Sequence, residues 1–193
     1  MEITKLLALV SVMIYLVAFG LYNRQVITGK SKPNAAMWTI WVFLGFLNAA
    51  SYRVMTGDWV KAMITYTGCA AMTFTFIFIV KTGKFTRLGQ FDLACLFLGV
   101  SSVIVWWVKR DATFANLLMQ ICIAISFIPT YRGVWRNPRN EGPVPWFLFA
   151  VGYIFAIVVV WLRWTGQIQD LVFPINVMLL HGAVGVLSLR RTS

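Results

Sequence analysis

Residues 127–146, FIPTYRGVWRNPRNEGPVPW, close one hydrophobic run at a proline, pass through a basic turn and reopen a second run at Pro-Val-Pro-Trp. Residues 19–38, FGLYNRQVITGKSKPNAAMW, share that layout: Phe19, Arg24, Val26 and Trp38 fall 108 residues before Phe127, Arg132, Val134 and Trp146. A fixed offset between two such junctions predicts a duplicated membrane unit.

Outward from these junctions the chain is apolar. Of its 193 residues, 60% are hydrophobic and 12% charged, against roughly a quarter charged in soluble domains. Seven stretches hold no Asp, Glu, Lys or Arg: 6–23, 35–52, 62–80, 93–108, 112–131, 144–162 and 171–189. Each is close to the roughly 20 residues an α-helix needs to cross the hydrocarbon core. The runs are continuously apolar rather than alternating, which predicts helices and not a β-barrel. The expected fold is therefore all-α, with seven transmembrane helices. The offset carries spans one to three onto spans five to seven. That gives a 3+1+3 layout: residues 1–83 and 111–193 as parallel three-helix repeats, and 84–110 as a linker helix.

The net charge of +11 sits in short turns between the runs, where juxtamembrane cations belong, and points to the bilayer rather than to nucleic acid. Arg24, Lys30, Lys32, Lys81, Lys84, Arg87, Arg132, Arg136, Arg139, Arg190 and Arg191 fall on one side; Lys5, Arg53, Lys61, Lys109, Arg110 and Arg163 fall on the other. The positive-inside rule makes the first side cytoplasmic, with the amino terminus outside a cell membrane and the carboxyl terminus inside. Cys69, Cys95 and Cys122 lie within apolar runs without metal or redox spacing and read as packing residues.

At this point the chain resembles the SWEET and SemiSWEET sugar transporters and the wider PQ-loop superfamily. In that family a three-helix unit with Pro-Gln at the end of its first helix is used twice around a linker helix. Here Pro129-Thr130 stands in place of Pro-Gln, ahead of a basic turn and a Trp-led second helix, while the first unit carries Leu21 where the second carries Pro129. The chain is also similar to small uncharacterised bacterial membrane proteins with a Lys-Pro-Asn then Trp signature, a resemblance that supplies no activity.

Polar side chains within spans mark candidate sites, because they are costly in lipid. His181, the single histidine, lies midway along span seven and has two readings: a proton-coupling or substrate-binding imidazole, or a neutral ring bonded to a neighbouring helix. The resemblance implies that Asn176, on the third helix of its unit, binds substrate, and that Trp161 stacks on it; interhelical bonding and an ordinary aromatic belt are the alternatives. Asn48, Asn116, Gln120 and Thr67 would line a polar vestibule with these residues, or else make scattered helix contacts. Trp38, Trp135 and Trp146 at one end of the spans, and Trp59, Trp106, Trp107 and Trp164 at the other, read as belts. Pro129 and Pro174 mark kinks or hinges.

HExxH, CxxC, phosphate-loop and GxSxG patterns are all missing from the sequence, as is a carboxylate pair within a span. Neither an enzyme nor a metal or cofactor is expected, although one His with one Met as haem ligands stays open. The expected function is facilitated movement, with or without proton linkage, of a small polar solute such as a sugar or nucleoside-like metabolite. The alternative is a non-transporting receptor or assembly subunit that uses its basic loops to hold a partner or anionic lipid.

Overall fold

The computed structural model describes residues 2–31, 33, 35–81 and 90–190, with side chains throughout except at 35–37, 91–92, 95–96 and 102–103. The expected boundary between the first repeat and the linker, together with Lys32, Lys84, Arg87 and Arg191, lies outside the described residues.

The order is α1 (Glu2–Ile27), α2 (Ala35–Thr56), α3 (Trp59–Lys81), α4 (Gln90–Lys109), α5 (Ala112–Ser126), α6 (Ile128–Arg136), a short 3-10 turn (Pro138–Asn140), α7 (Pro143–Leu162) and α8 (Gln169–Ser188). No strand occurs among the described residues. Among the described residues, five helices are long and apolar enough to cross a membrane: α1, α3, the α5–α6 run from Ala112 to Arg136, α7 and α8.

Burial in α1 is inverted relative to a soluble helix. Leu6, Leu9, Met13, Leu16 and Val17 are exposed, while Thr4, Ala8, Ser11, Tyr15 and Tyr22 are buried. A face of large aliphatic side chains turned outward suits hydrocarbon, and the small, polar and aromatic face packs against protein.

The helices close a ring. In the first half α3 lies between α1 and α2, and in the second half α8 lies between α5 and α7. The halves meet where α1 packs on α7 and α2 packs on α5, so the first helix of each half rests on the second helix of the other. The remaining helix, α4, packs outside the ring against α5 and α2. Gly57 and Gly166 turn the chain after α2 and after α7 with positive φ (64° and 83°), a conformation that favours glycine.

The two intrahelical prolines act differently. Pro129 falls in the first turn of α6, where its missing N–H is not needed, and the fifth apolar run is broken there at Phe127. Pro174 leaves α8 continuous. Its missing N–H frees the carbonyl of Asp170 four residues earlier, and the buried Tyr52 hydroxyl of α2 donates to that oxygen at 2.7 Å.

Candidate functional site

At the centre of the ring is a cavity of about 70 Å³ walled mainly by aromatic rings. Tyr15, Phe19 and Tyr22 come from α1, Trp38 and Trp41 from α2, Phe127 from the α5–α6 break, Trp146, Phe149 and Tyr153 from α7, and Phe173 and His181 from α8. The lining follows the offset read from the sequence. Tyr15 and Ile123, Phe19 and Phe127, Trp38 and Trp146, Trp41 and Phe149, Gly45 and Tyr153, and Thr65 and Phe173 are each 108 residues apart, and both members of every pair line this cavity.

His181 stands among four of these rings. Phe127, Trp146, Phe149 and Tyr153 have centroids 5.0–5.8 Å from the imidazole, with Tyr153 stacked on it. Its Nδ1 lies 2.7 Å from the carbonyl oxygen of Val177. A carbonyl only accepts, so Nδ1 carries the proton and a neutral ring keeps Nε2 as an acceptor. The bond is to its own helix, not to a neighbour. Across the cavity the hydroxyls of Tyr15 and Tyr153 are 3.1 Å apart.

Four of the polar residues singled out in the sequence are joined instead to one another. Asn116 Nδ2 donates to Asn48 Oδ1 (3.1 Å) and Ser51 Oγ (2.9 Å), and Gln120 Nε2 donates to Asn48 Oδ1 (2.9 Å). Asn176 Nδ2 extends the chain to the backbone oxygen of Gln120 (3.1 Å). The network ties α2, α5 and α8 together, and of its members only Asn48 also lines the central cavity. Asn176 and Gln120 border an outward-facing groove between α5 and α8. Thr67 donates to the carbonyl of Met63 in its own helix (2.9 Å), and Trp161 is 66% exposed beside Trp164 on the outside of the bundle.

The belt reading needs correction at Trp38 and Trp146, which are 3% and 2% exposed. They face the cavity rather than lipid. Trp59, Trp107, Trp135 and Trp164 are exposed, as belt residues should be. The signal that would have found the two buried tryptophans was their common offset, which unrelated belt residues have no reason to share.

Different side chains stand toward the two ends of the central cavity. Toward the end that carries Arg24, Lys30 and Arg139, the rings of Tyr22, Trp38, Trp41 and Trp146 separate it from a second cavity of about 180 Å³ that Glu141 borders. At the far end, two ion pairs join the halves. Lys61 Nζ contacts Asp170 Oδ2 at 2.7 Å with both side chains buried, and Arg163 Nε contacts Asp58 Oδ2 at 2.6 Å. Arg163 also donates to Thr4 Oγ1 (3.1 Å). Burial works against ionisation of Asp58, but Arg163 and the amides of Val60 and Lys61 hold its carboxyl below the ordinary range.

No group of three or more His, Cys, Asp and Glu side chains placed to hold a metal occurs among the described residues. Compared with protein-family models, with curated proteins and with solved structures, the chain matches none.

Proposed function

We propose that the chain is a seven-span membrane transporter built from two parallel three-helix units joined by α4, and that it moves a small polar solute through the central cavity. The observation that carries this reading is the register of the lining: a cavity at the meeting of two like-ordered halves, with six pairs of its lining residues 108 apart. Such a site, midway between repeats, is where alternating access places substrate.

In this reading the two ends of the cavity act as gates. Aromatic rings stand at one end and ion pairs at the other. At about 70 Å³ the cavity is well below the roughly 300–1,000 Å³ of pockets that hold drug-sized ligands. A sugar-sized solute therefore fits only once the rings turn aside. His181 and Asn48 are the polar groups offered to it, with Tyr15 and Tyr153 beside them. The chain sits in the cell membrane with the basic end cytoplasmic, as the positive-inside rule has it. SWEET-like architecture is the family reading that agrees with this arrangement.

The small cavity also favours a second reading, a non-transporting receptor or assembly subunit that works through exposed Arg24, Arg136 and Arg139. Counterflow in proteoliposomes against a panel of sugars, nucleosides, vitamins and amino acids separates the two. Transport requires exchange of one solute class, lost in Trp41→Ala and Asn48→Ala and kept in Arg136→Gln. Absence of exchange across the panel from folded protein sinks the transport reading.

A further inference from the structure

The second cavity differs chemically from the first. Besides Tyr22, Trp38, Trp41 and Trp146 it is bordered by Glu141, whose residue is 8% exposed. A carboxylate taken out of water is costly unless it is paired. Glu141 Oε2 accepts one hydrogen bond from Trp146 Nε1, at 3.2 Å. Ser31 Oγ lies 3.1 Å from Gln25 Oε1 and also hydrogen-bonds the Glu141 carboxyl. An ionised carboxylate accepts about four hydrogen bonds, so much of its capacity is open.

No ion pair to Glu141 occurs among the described residues. Lys30, Arg139 and Arg190 border a separate groove on its other side. Arg190 is already committed there: its guanidinium donates to the carbonyls of Trp135 (2.6 Å) and Val134 (3.3 Å) and lies 4.0 Å over the Trp135 ring. Among the described residues that line this cavity none is cationic: the aromatic rings stand there with the neutral Thr130 and Asn140. Aromatic faces attract cations, and ammonium ions that carry alkyl groups suit such walls best. A hard divalent metal does not fit, because calcium takes six to eight oxygens and a single carboxylate stands here. Burial pushes the Glu141 carboxyl up to about 7, against the pull of Trp146 and Ser31, as expected of an acid lacking its counter-ion.

We propose that this cavity is a binding site for a small organic ammonium ion, with Glu141 as counter-ion and Tyr22, Trp38, Trp41 and Trp146 as its aromatic wall. The volume of about 180 Å³ holds a group of about six heavy atoms, at roughly 30 Å³ for each water-sized unit. The site stands whether or not the central cavity carries a solute. Its position behind the Trp38–Trp41–Trp146 layer means that an occupant would touch the rings at that end of the central cavity.

The test is quenching of tryptophan fluorescence in the purified full chain at pH 8 by tetramethylammonium, with neopentyl alcohol as an uncharged probe of similar shape. The expected result is saturable quenching by the cation and none by the alcohol. Affinity should fall at least about tenfold in Glu141→Gln, where the charge attraction is gone. Gly133→Leu provides a second variant that leaves Glu141 in place: Gly133 borders this cavity, and a Cβ there meets nothing within 4 Å. The added side chain should occupy the space and abolish quenching with melting temperature retained. Equal responses to cation and alcohol, no saturable response, or unchanged affinity in folded Gly133→Leu overturns the proposal. Asp58→Asn, in an ion pair at the far end of the bundle, should bind as the parent does.

Discussion

Lys61 Nζ and Asp170 Oδ2 lie 2.7 Å apart with side-chain exposures of 0% and 2%, so the first turns of α3 and α8 are joined by a charge pair sealed from solvent. Removing one partner strands the other charge. Lys61→Met and Asp170→Asn should each cost about 3–5 kcal/mol of stability, while the apolar double replacement Lys61→Met with Asp170→Leu should cost much less than their sum. Thermal unfolding in detergent, read as a double-mutant cycle, measures this. Additive losses would show that the pair contributes no coupling.

The same aspartate is held a second way. Pro174 cannot donate to the Asp170 carbonyl, and Tyr52 supplies the missing donor. Tyr52→Phe should therefore destabilise by about 1–2 kcal/mol in the parent. In a Pro174→Ala background, where a backbone N–H becomes available, that cost should shrink to a few tenths of a kcal/mol. An equal loss in both backgrounds would separate the tyrosine from the proline.

Asn116 and Gln120 bind helices and not solute by their geometry: Asn116 Nδ2 and Gln120 Nε2 both donate to Asn48 Oδ1, and Gln120 Nε2 also reaches Asn116 Oδ1. Asn116→Ala is expected to cost about 1 kcal/mol, in the range of interhelical hydrogen bonds within membranes. Because Asn116 does not line the central cavity, the substitution should leave any ligand-induced thermal shift intact. A lost shift with unchanged stability would place Asn116 in a binding site after all.

These cases show which parts of the molecule were legible in the sequence. The helical class follows from long runs free of charge, since lipid tolerates no exposed backbone polar groups. The offset of 108 was legible in Phe19, Trp38 and their counterparts, and those same residues line the cavity. What composition hides is helix rotation. In α1 the inward face is marked only by small, hydroxyl and aromatic side chains, a weak signal in a helix with no charge between Leu6 and Asn23. Sequence alone therefore puts Trp161 forward for stacking and leaves Trp146 in the belt, although one is 66% and the other 2% exposed. The charges of Lys61 and Asp170 were visible at the ends of their runs, but their partnership across 109 positions depends on the order of helices around the ring. Glu141 was hidden for a like reason: within RNEGP it reads as a solvated turn, and only the packing of α7 on α1, with Trp38 and Trp41 of α2 bordering the same cavity, encloses it.

That enclosure gives the protein a pH response with a definite sign. Glu141 titrates near 4.5 in a solvated chain and near 7 when folded, chiefly because burial disfavours its charge. Between those values the folded state holds the proton more tightly than the unfolded one, so stability falls as pH rises through the window. Above about 7 the whole loss is present, on the order of 3 kcal/mol for a shift of this size. Glu141→Gln, which keeps an oxygen for Trp146 Nε1 and carries no charge, should remove that slope. Its melting temperature should exceed the parent's at pH 8 and match it near pH 5. Tetramethylammonium should act in the opposite sense on the parent, stabilising it at pH 8, where the carboxylate is ionised, and losing its effect as the pH falls below 7. A parent and variant with parallel pH profiles would mean that Glu141 is solvated in the folded protein and titrates as an ordinary surface carboxylate.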